Sequence, residues 1–316
     1  MRFKKIYQLT GLLVVAASFL TAGKSFGQGF YFYNDKYFES QTVVELGFQA
    51  GVMNGMTDLG GSKKGGANSG FLSDLTFQKT KFTGGAYVAA TYKDFLTGRI
   101  DLNFGKIEAA DSLLKGATDK RAVGRYDRNL SFRSNIFEVA LNVEIHPFFV
   151  IDYVYGEPPR WSPYLFGGIG VVKFNPQANL NGIWYDLEPL HLEGQGFKEY
   201  PDRQPYKKTA FSFPLGMGVR YEMSQLITLR AEVARHTTST DYLDDVSQGD
   251  WVDPNLFYNY LSISQANIAT QLYNRSTLAR LNPPHNTTPR GNPSDHDTFW
   301  NIVFKVAINL NRKQIK

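Results

Sequence analysis

The sequence predicts an all-β protein: an eight-stranded antiparallel transmembrane β-barrel of the outer-membrane, OmpA-like type. Eight segments alternate apolar and polar side chains, the period-2 pattern of β-strands. Their connections alternate between long and short, which is typical of outer-membrane barrels. After the N-terminal region, no apolar run approaches the ~20 residues of a membrane-spanning helix. A soluble β-sandwich is the alternative, but it does not require connections sorted by length.

The clearest pair of strands lies in residues 211–235. Apolar residues occupy the odd positions of its first half, and the alternation resumes after a break at 223–226. A break this short predicts an antiparallel hairpin. One face is almost purely apolar, whereas the other carries Arg220, Arg230 and Glu232 amid glycines. In a membrane barrel the apolar face contacts lipid and the polar face points inward.

The other six strands are predicted from the same alternation. They lie at 42–52, 83–92, about 99–104, 137–146, 162–173 and 298–310. The barrel domain therefore spans 42–316, with long external loops at 53–82, 106–130, 174–207 and 237–297. Shorter connections at 93–96, 147–160 and 223–226 would face the periplasm, as would both termini.

The N-terminal residues 1–27 have the pattern of a signal peptide. A basic start precedes an apolar run at 9–20 and then a region of small residues. A single membrane anchor is the alternative, although about 12 residues is short for a span of ~20. Residues 28–41 follow as a predicted periplasmic arm.

Composition excludes several function classes. The signal peptide holds four of the 34 basic residues and no acid, so the remaining chain has 30 basic and 29 acidic residues. This balance removes the main support for a nucleic-acid partner. The chain has no cysteine, which excludes disulfides and thiolate metal sites.

Charged residues on the polar strand faces predict a filled barrel interior. Five acids and four bases would point inward: Glu45, Arg99, Asp101, Glu138, Glu144, Arg220, Arg230, Glu232 and Lys305. An eight-stranded barrel is just wide enough for side chains to fill. Since buried charges persist only when paired, we expect a salt-bridge network. A selective pore lined by charge is the alternative, and it would need more strands.

The sequence provides little support for catalysis, and we predict neither an enzyme nor a cofactor. The five histidines are scattered, without a metalloprotease or Ser-His-Asp pattern. His236 beside Asp241, Asp244 and Asp245 is the candidate for a hydrolase at the barrel rim. A calcium site formed by Asp241, Asp244, Asp245 and Asp250 is a second alternative, since hard cations bind clustered carboxylates.

Four segments together resemble a known family. They are RNLSFRSNIFEVALNVEIHPFF (128–149), SPYLFGGIGVVKFNPQA (162–178), GIWYDLEPLHLEGQG (182–196) and TDYLDDVS (240–247). The combination resembles the PorG-like family of small outer-membrane barrels, which includes a component of the type IX secretion system. The match runs in order from about residue 42 to the C-terminus. Its specific parts, WYDLEPL…EGQG and TDYLDDVS, lie in or beside the third and fourth long loops.

The resemblance implies a structural role at the outer membrane. It suggests partnership with outer-membrane lipid and with a periplasmic ring built from a lipoprotein and its partner subunit. A passive channel or small-solute transporter is the alternative, as is a paralogous surface barrel of unassigned role, because fold does not fix function. The loop at 237–297 is longer than in compact family members.

Two sets of residues are candidates for contacts outside the barrel wall. The connection at 147–160 holds Phe148, Phe149, Tyr153 and Tyr155, which would contact a partner or form an interfacial aromatic girdle. The external motifs would form a folded lid or contact secreted cargo. They contribute Trp184, Tyr185, Asp186, Glu188, Asp241, Tyr242, Asp244 and Asp245.

Overall fold

The computed structural model describes residues 42–61, 77–149, 160–224, 226–276, 289–294 and 296–311. The predicted signal peptide at 1–27 and arm at 28–41 lie outside this part of the chain. So do Tyr153 and Tyr155.

The described residues form a closed antiparallel β-barrel of eight strands, as the sequence predicts. Nine strands occur in these ranges: β1 (Thr42–Met56), β2 (Lys81–Tyr92), β3 (Leu96–Ala110), β4 (Ser131–Ile145), β5 (Trp161–Leu180), β6 (Ile183–Asp186), β7 (Thr209–Glu222), β8 (Ile227–Thr238) and β9 (Thr298–Asn309). Each barrel strand pairs with the next, and β9 pairs with β1 to close the sheet. The short β6 pairs only with the end of β5. Closure removes every free sheet edge from the barrel wall.

The barrel wall has an apolar exterior and a polar interior. Side chains alternate between exposed and buried along each strand, most regularly along β4. Large apolar side chains lie on the outside, and Phe48, Leu215 and Phe304 are 72%, 71% and 68% exposed. A wall of this kind is suited to lipid, and closed strands satisfy their backbone hydrogen bonds without water.

The two ends of the barrel differ. All four long connections lie at one end, here called the loop end. The three shorter connections and the first and last strand residues, Thr42 and Asn309, lie at the other, here called the turn end. The arrangement follows directly from the alternation of long and short connections.

Most of the strands are longer than the alternation predicts. β1 continues to Met56, β3 to Ala110 and β5 to Leu180, so the loops predicted to begin at 53, 106 and 174 begin later. Apolar alternation predicts only the part of a strand that faces lipid. Beyond it, backbone pairing continues without a requirement for apolar exterior residues.

The long connections also contain helices. α1 (Lys120–Arg128) begins at Asp119, whose side chain accepts the N–H groups of Arg121 and Ala122. In the fourth connection, α2 (Phe257–Tyr260) precedes α3 (Ile263–Leu272), which begins with a capping box. The long connection predicted at 237–297 therefore contains regular structure of its own. In the ranges given above, no helix has the length and apolar character needed to cross a membrane.

Replacing Met217 with arginine tests whether the exterior contacts lipid. Met217 lies near the middle of β7 and pairs with Val233 on β8 and Leu165 on β5, so its neighbours on the wall are apolar, and a charge buried in the membrane there costs about 2–4 kcal/mol. We expect that loss of unfolding free energy in urea titrations of the vesicle-inserted protein. The matched variant Thr209→Arg, at the loop end of the same strand, should cost at most ~1 kcal/mol. Equal effects at both positions would contradict a membrane-embedded wall.

Candidate functional site: a filled lumen and a loop cap

The structure places all nine predicted charged residues inside the barrel. None of these residues is more than 5% exposed: Glu45, Arg99, Asp101, Glu138, Glu144, Arg220, Arg230, Glu232 and Lys305. They come from every barrel strand except β2 and β5. We call this set the lumen network.

Two arginines occupy the middle of the lumen network. Arg99 donates to Asp101 at 2.6 Å, to Glu232 at 2.7 Å, and to Glu144. Arg230 donates to the other oxygen of Glu144 at 2.5 Å and to Glu45 at 2.8 Å. Glu144 therefore bridges both arginines, and loss of its charge would leave two buried cations short of a partner.

The remaining cations extend the lumen network in both directions. Lys305 contacts Asp101 at 2.8 Å and Glu232 at 3.0 Å. Arg220 contacts Glu45 at 3.1 Å and Glu222 at 2.9 Å near the turn end. Each of these cations thus contacts at least two carboxylates, so the network crosses the lumen instead of lining its wall. The geometry is that of a plug.

Two tyrosines complete the filling of the lumen. Tyr87 and Tyr164 are both buried, and Tyr164 donates to Glu232. Their partners across the ladder are Gly47 and Gly218. A Cβ atom at Gly47 would lie 2.4 Å from the Tyr87 ring, and one at Gly218 would lie 2.6 Å from the Tyr164 ring. Both positions require glycine, because each tyrosine ring packs directly against the backbone of the glycine opposite it.

His236 belongs to the lumen and not to a rim site. Its Nδ1 lies 2.9 Å from a Glu138 oxygen, and its ring stacks on Phe299 at a centroid distance of 4.5 Å. Glu138 also accepts from Asn103 at 2.9 Å. The structure therefore pairs His236 with Glu138 instead of the acids of the fourth connection.

An apolar layer closes the lumen at the loop end. Leu243 and Val246, from the TDYLDDVS segment, are buried against side chains of the barrel strands. The layer comprises Met53, Leu59, Ile107, Ala109, Leu130, Phe132, Ile136, Val172, Phe174, Leu243, Val246 and Phe299. The fourth connection thus folds back into the barrel mouth.

The described residues of the four long connections form one structure, here called the loop cap. Glu193 is buried and accepts the N–H groups of Ser247 and Gln248, both at 3.1 Å. This contact joins EGQG to the end of TDYLDDVS. The two segments that carry the family resemblance are therefore neighbours that hold each other in place.

A second buried acid links the other connections. Asp111 accepts from Gly60 at 3.0 Å, from Leu130 at 3.0 Å and from Arg128 at 2.7 Å. Arg128 also donates to the backbone carbonyls of Arg290 and Asp58. All four connections are consequently joined by hydrogen bonds to charged side chains, which are stronger than neutral ones.

The four acids proposed for calcium do not form a site. Asp244 accepts backbone N–H groups from Leu59 and Val246, and Asp245 accepts from the Tyr206 hydroxyl at 2.7 Å. The Asp250 side chain is 93% exposed. Among the described residues, no three His, Asp or Glu side chains are arranged to hold a metal ion. The acids instead fix the loop backbone.

Burial in the loop cap shifts the titration of these acids. It raises the pKa of Asp241 to about 9 and that of Asp244 to about 8, with further contributions from the nearby carboxylate of Asp58. Burial likewise raises the pKa of Asp297, which lies near Asp241 and Asp244. These groups are therefore favoured in their neutral forms.

The WYDLEPL segment lies on the outer side of the loop cap. Trp184 stacks under Arg133 at 3.7 Å, and Asp186 accepts from the amides of Asn175 and Gln177. Tyr185 packs on the second apolar cluster, which includes Leu187, Leu190, Phe257 and Ala266, and Glu188 lies 3.6 Å from Lys208. Tyr242 stacks on Tyr206 at 4.5 Å. These contacts are those of a lid, while contact with cargo stays a prediction.

Phe148 and Phe149 belong to a short 3-10 helix, Pro147–Phe149, at the turn end. Phe148 is 42% exposed. An interfacial girdle and a partner contact both stay predictions for this residue.

Comparisons with known proteins find similar solved structures but no matching family. No protein-family model and no curated protein matches the sequence. Among solved structures, Neisserial surface protein A aligns over 86% of this chain and 98% of its own, with 8% identity and a TM-score of 0.35. A major outer membrane protein from Thermus thermophilus aligns over 84% and 99%, with 12% identity and a TM-score of 0.36. Ail of Yersinia pestis aligns over 85% and 97%, with 7% identity and a TM-score of 0.34.

Sequence reasoning missed several residues that hold these structures together. Tyr87 and Tyr164 occupy inward positions of their strands, so the alternation itself could have revealed them. Glu193, Asp111 and Arg128 lie in the long connections, outside the strands in which side chains alternate with a period of two. No local pattern predicts their long-range partners.

Neutralising Glu144 tests the lumen network. Glu144→Gln should lower the free energy of unfolding by about 3 kcal/mol, because Arg99 and Arg230 lose a shared buried anion. Urea titration of the vesicle-inserted barrel measures this. The control Glu188→Gln removes a partly exposed ion pair and should cost at most ~1 kcal/mol. A neutral effect of Glu144→Gln would contradict the network.

The acids of the loop cap predict a dependence on pH. An acid whose pKa is raised by folding stabilises the folded state fully below about pH 4, where it is protonated in both states. This stabilisation declines as pH rises and is lost above the pKa of the folded state. We therefore expect protease cleavage within 239–261 to increase from pH 5 to pH 9. Asp241→Asn should flatten this trend, because an amide does not ionise. The exposed control Asp250→Asn should retain the wild-type trend. Equal slopes in all three proteins would refute this explanation.

Proposed function

We propose that the protein is a structural component of the outer membrane that anchors or accompanies a protein-secretion machine, and that it is not an enzyme. The observation that supports this best is the filled lumen. The lumen network and the apolar layer leave the barrel interior occupied by the chain's own side chains. A passive channel would require an open path, so the proposed activity lies on the outer surfaces.

We propose that the loop end faces outward and the turn end faces the periplasm. Long connections at the external side and short ones at the periplasmic side are the general arrangement in such barrels. The apolar wall supports insertion among outer-membrane lipids. In this orientation both termini are periplasmic.

The finer proposal rests on the resemblance to the PorG-like family. The partners would be the periplasmic ring lipoprotein of a type IX secretion system and its companion subunit. Phe148, exposed at the turn end, is the candidate contact. A paralogous barrel with a different role is the competing hypothesis.

Affinity purification from gently solubilised membranes tests the proposal. We expect ring subunits to co-purify with the wild-type barrel and their recovery to fall at least about tenfold with Phe148→Ala, as loss of an aromatic anchor predicts. The matched control Trp184→Ala, at the loop end, should retain them. The wild-type barrel should give no single-channel steps in planar bilayers.

Absence of ring subunits, together with normal secretion in a deletion strain, would refute the secretion role. Stable conductance steps would favour the channel instead. Heat-dependent migration on gels shows whether each variant is folded, so a lost interaction is distinguished from a lost barrel.

A further inference from the structure

The outer wall carries a cluster of basic side chains on one side. Lys106 on β3, Arg133 on β4 and Lys173 on β5 lie on three adjacent strands and point outward by the alternation of each strand. The outward positions of β1, β2, β7 and β9 hold no charged residue. The basic residues therefore form a patch, not a ring.

One further basic residue on the outer wall lies apart from the patch. Arg235 on β8 pairs with Leu215 on β7, whereas Lys173 pairs with Thr209 at the start of β7. Leu215 and Thr209 are separated by roughly 20 Å along the strand at the usual rise per residue. Arg235 is therefore at a different height on the wall and can serve as a control.

Strand pairing brings the side chains of the patch together. Lys106 lies opposite Asn135 on β4, and Asn135 lies opposite Asn175 on β5, two positions from Lys173. Asn135 and Lys173 are exposed. Among the described residues, neither Lys106 nor Lys173 forms an ion pair. Their charges are available to an external anion.

The neighbouring acids leave the patch basic. Glu108 lies opposite Arg133 and is paired with Lys81 at 2.9 Å and Lys79 at 3.8 Å. Its charge is thus already balanced by lysines outside the patch.

Asp186 is the acid on the other side of the patch. Its carboxylate accepts hydrogen bonds from the amides of Asn175 and Gln177. Arg133 donates to the same Gln177 at 2.9 Å and stacks on Trp184, which fixes its guanidinium in place. The Asp186 carboxylate is therefore hydrogen-bonded to these amides, and Lys106 and Lys173 stay available to an external ligand.

An apolar surface lies directly below the patch, toward the middle of the wall. Phe104 and Phe137 are exposed and lie opposite each other, with ring centroids 4.9 Å apart. Val171 follows on β5 and is also exposed. Basic side chains above exposed aromatic rings are complementary to a lipid. The lipid phosphate would contact the lysines, and an acyl chain would cover the rings.

We propose that this face of β3, β4 and β5 binds the phosphate-bearing anionic headgroup of a membrane lipid. Lys106 and Lys173 would contact the phosphate as point charges, and the Asn135 amide would donate a hydrogen bond. The inference rests on the proposed membrane location of the barrel. It identifies the class of lipid that binds and the part of the barrel wall that binds it.

Lipid retention measures the proposed site. The protein is inserted into phosphatidylcholine vesicles containing phosphatidylglycerol, extracted gently, and the lipids that remain bound are counted by native mass spectrometry. We expect the wild type to retain phosphatidylglycerol over phosphatidylcholine. Lys106→Gln/Lys173→Gln should reduce that preference by about tenfold, since each lysine near a membrane surface contributes to anionic-lipid binding.

The control variant Lys93→Gln/Arg235→Gln removes the same charge from the turn end and from β8, and it should keep the wild-type preference. Equal retention by the wild type and the Lys106/Lys173 variant would overturn the lipid site while leaving the membrane barrel intact. Displacement of the lipid by millimolar inorganic phosphate would overturn it in favour of a free-anion site. Failure of the wild type to insert would refute the membrane location itself.

Discussion

The structure depends on the pairing of charges inside a closed wall. Isolated buried charges are too costly to persist, so Arg99 and Arg230 require the carboxylates that surround them. Those carboxylates come from strands far apart in sequence, for example Glu45 and Glu232. The pairing therefore favours the complete barrel over partly assembled sheets, in which some of these ions would lack partners. The apolar exterior favours insertion into a membrane, whereas the lumen network favours one strand register and the closure of the barrel.

The loop cap also contains buried charged groups with partners, but most of these partners are backbone N–H groups. Its buried acids, such as Glu193 and Asp111, mostly accept backbone N–H groups. Each acid thereby fixes the path of a connection that has no strand partner. The raised pKa values of Asp241 and Asp244 show the cost of burying such acids close together, and they make the stability of the loop cap fall as pH rises.

Sequence alone predicts the part of this structure that a repeating environment imposes. Lipid on one side and a narrow lumen on the other enforce a period of two, so the strand faces and the inward position of residues such as Glu138 can be inferred. The ends of β5 cannot be inferred in this way, because the strand continues beyond the part of the wall that faces lipid. Contacts such as Glu193 with Ser247 cannot either, since they join segments 54 residues apart and depend on the fold of the whole loop cap.

A filled lumen restricts where this protein can act. With the interior occupied, three surfaces remain: the turn end, the loop cap and the lipid-facing wall. The wall is not uniform, because basic side chains gather on β3 to β5 while apolar ones cover most of the remaining membrane belt. A barrel with one distinguishable side can be oriented by the lipids around it, and such orientation would serve the proposed contact between the turn end and a periplasmic partner. Lipid binding on the wall and partner binding at the turn end would then be linked through the rigid strands between them.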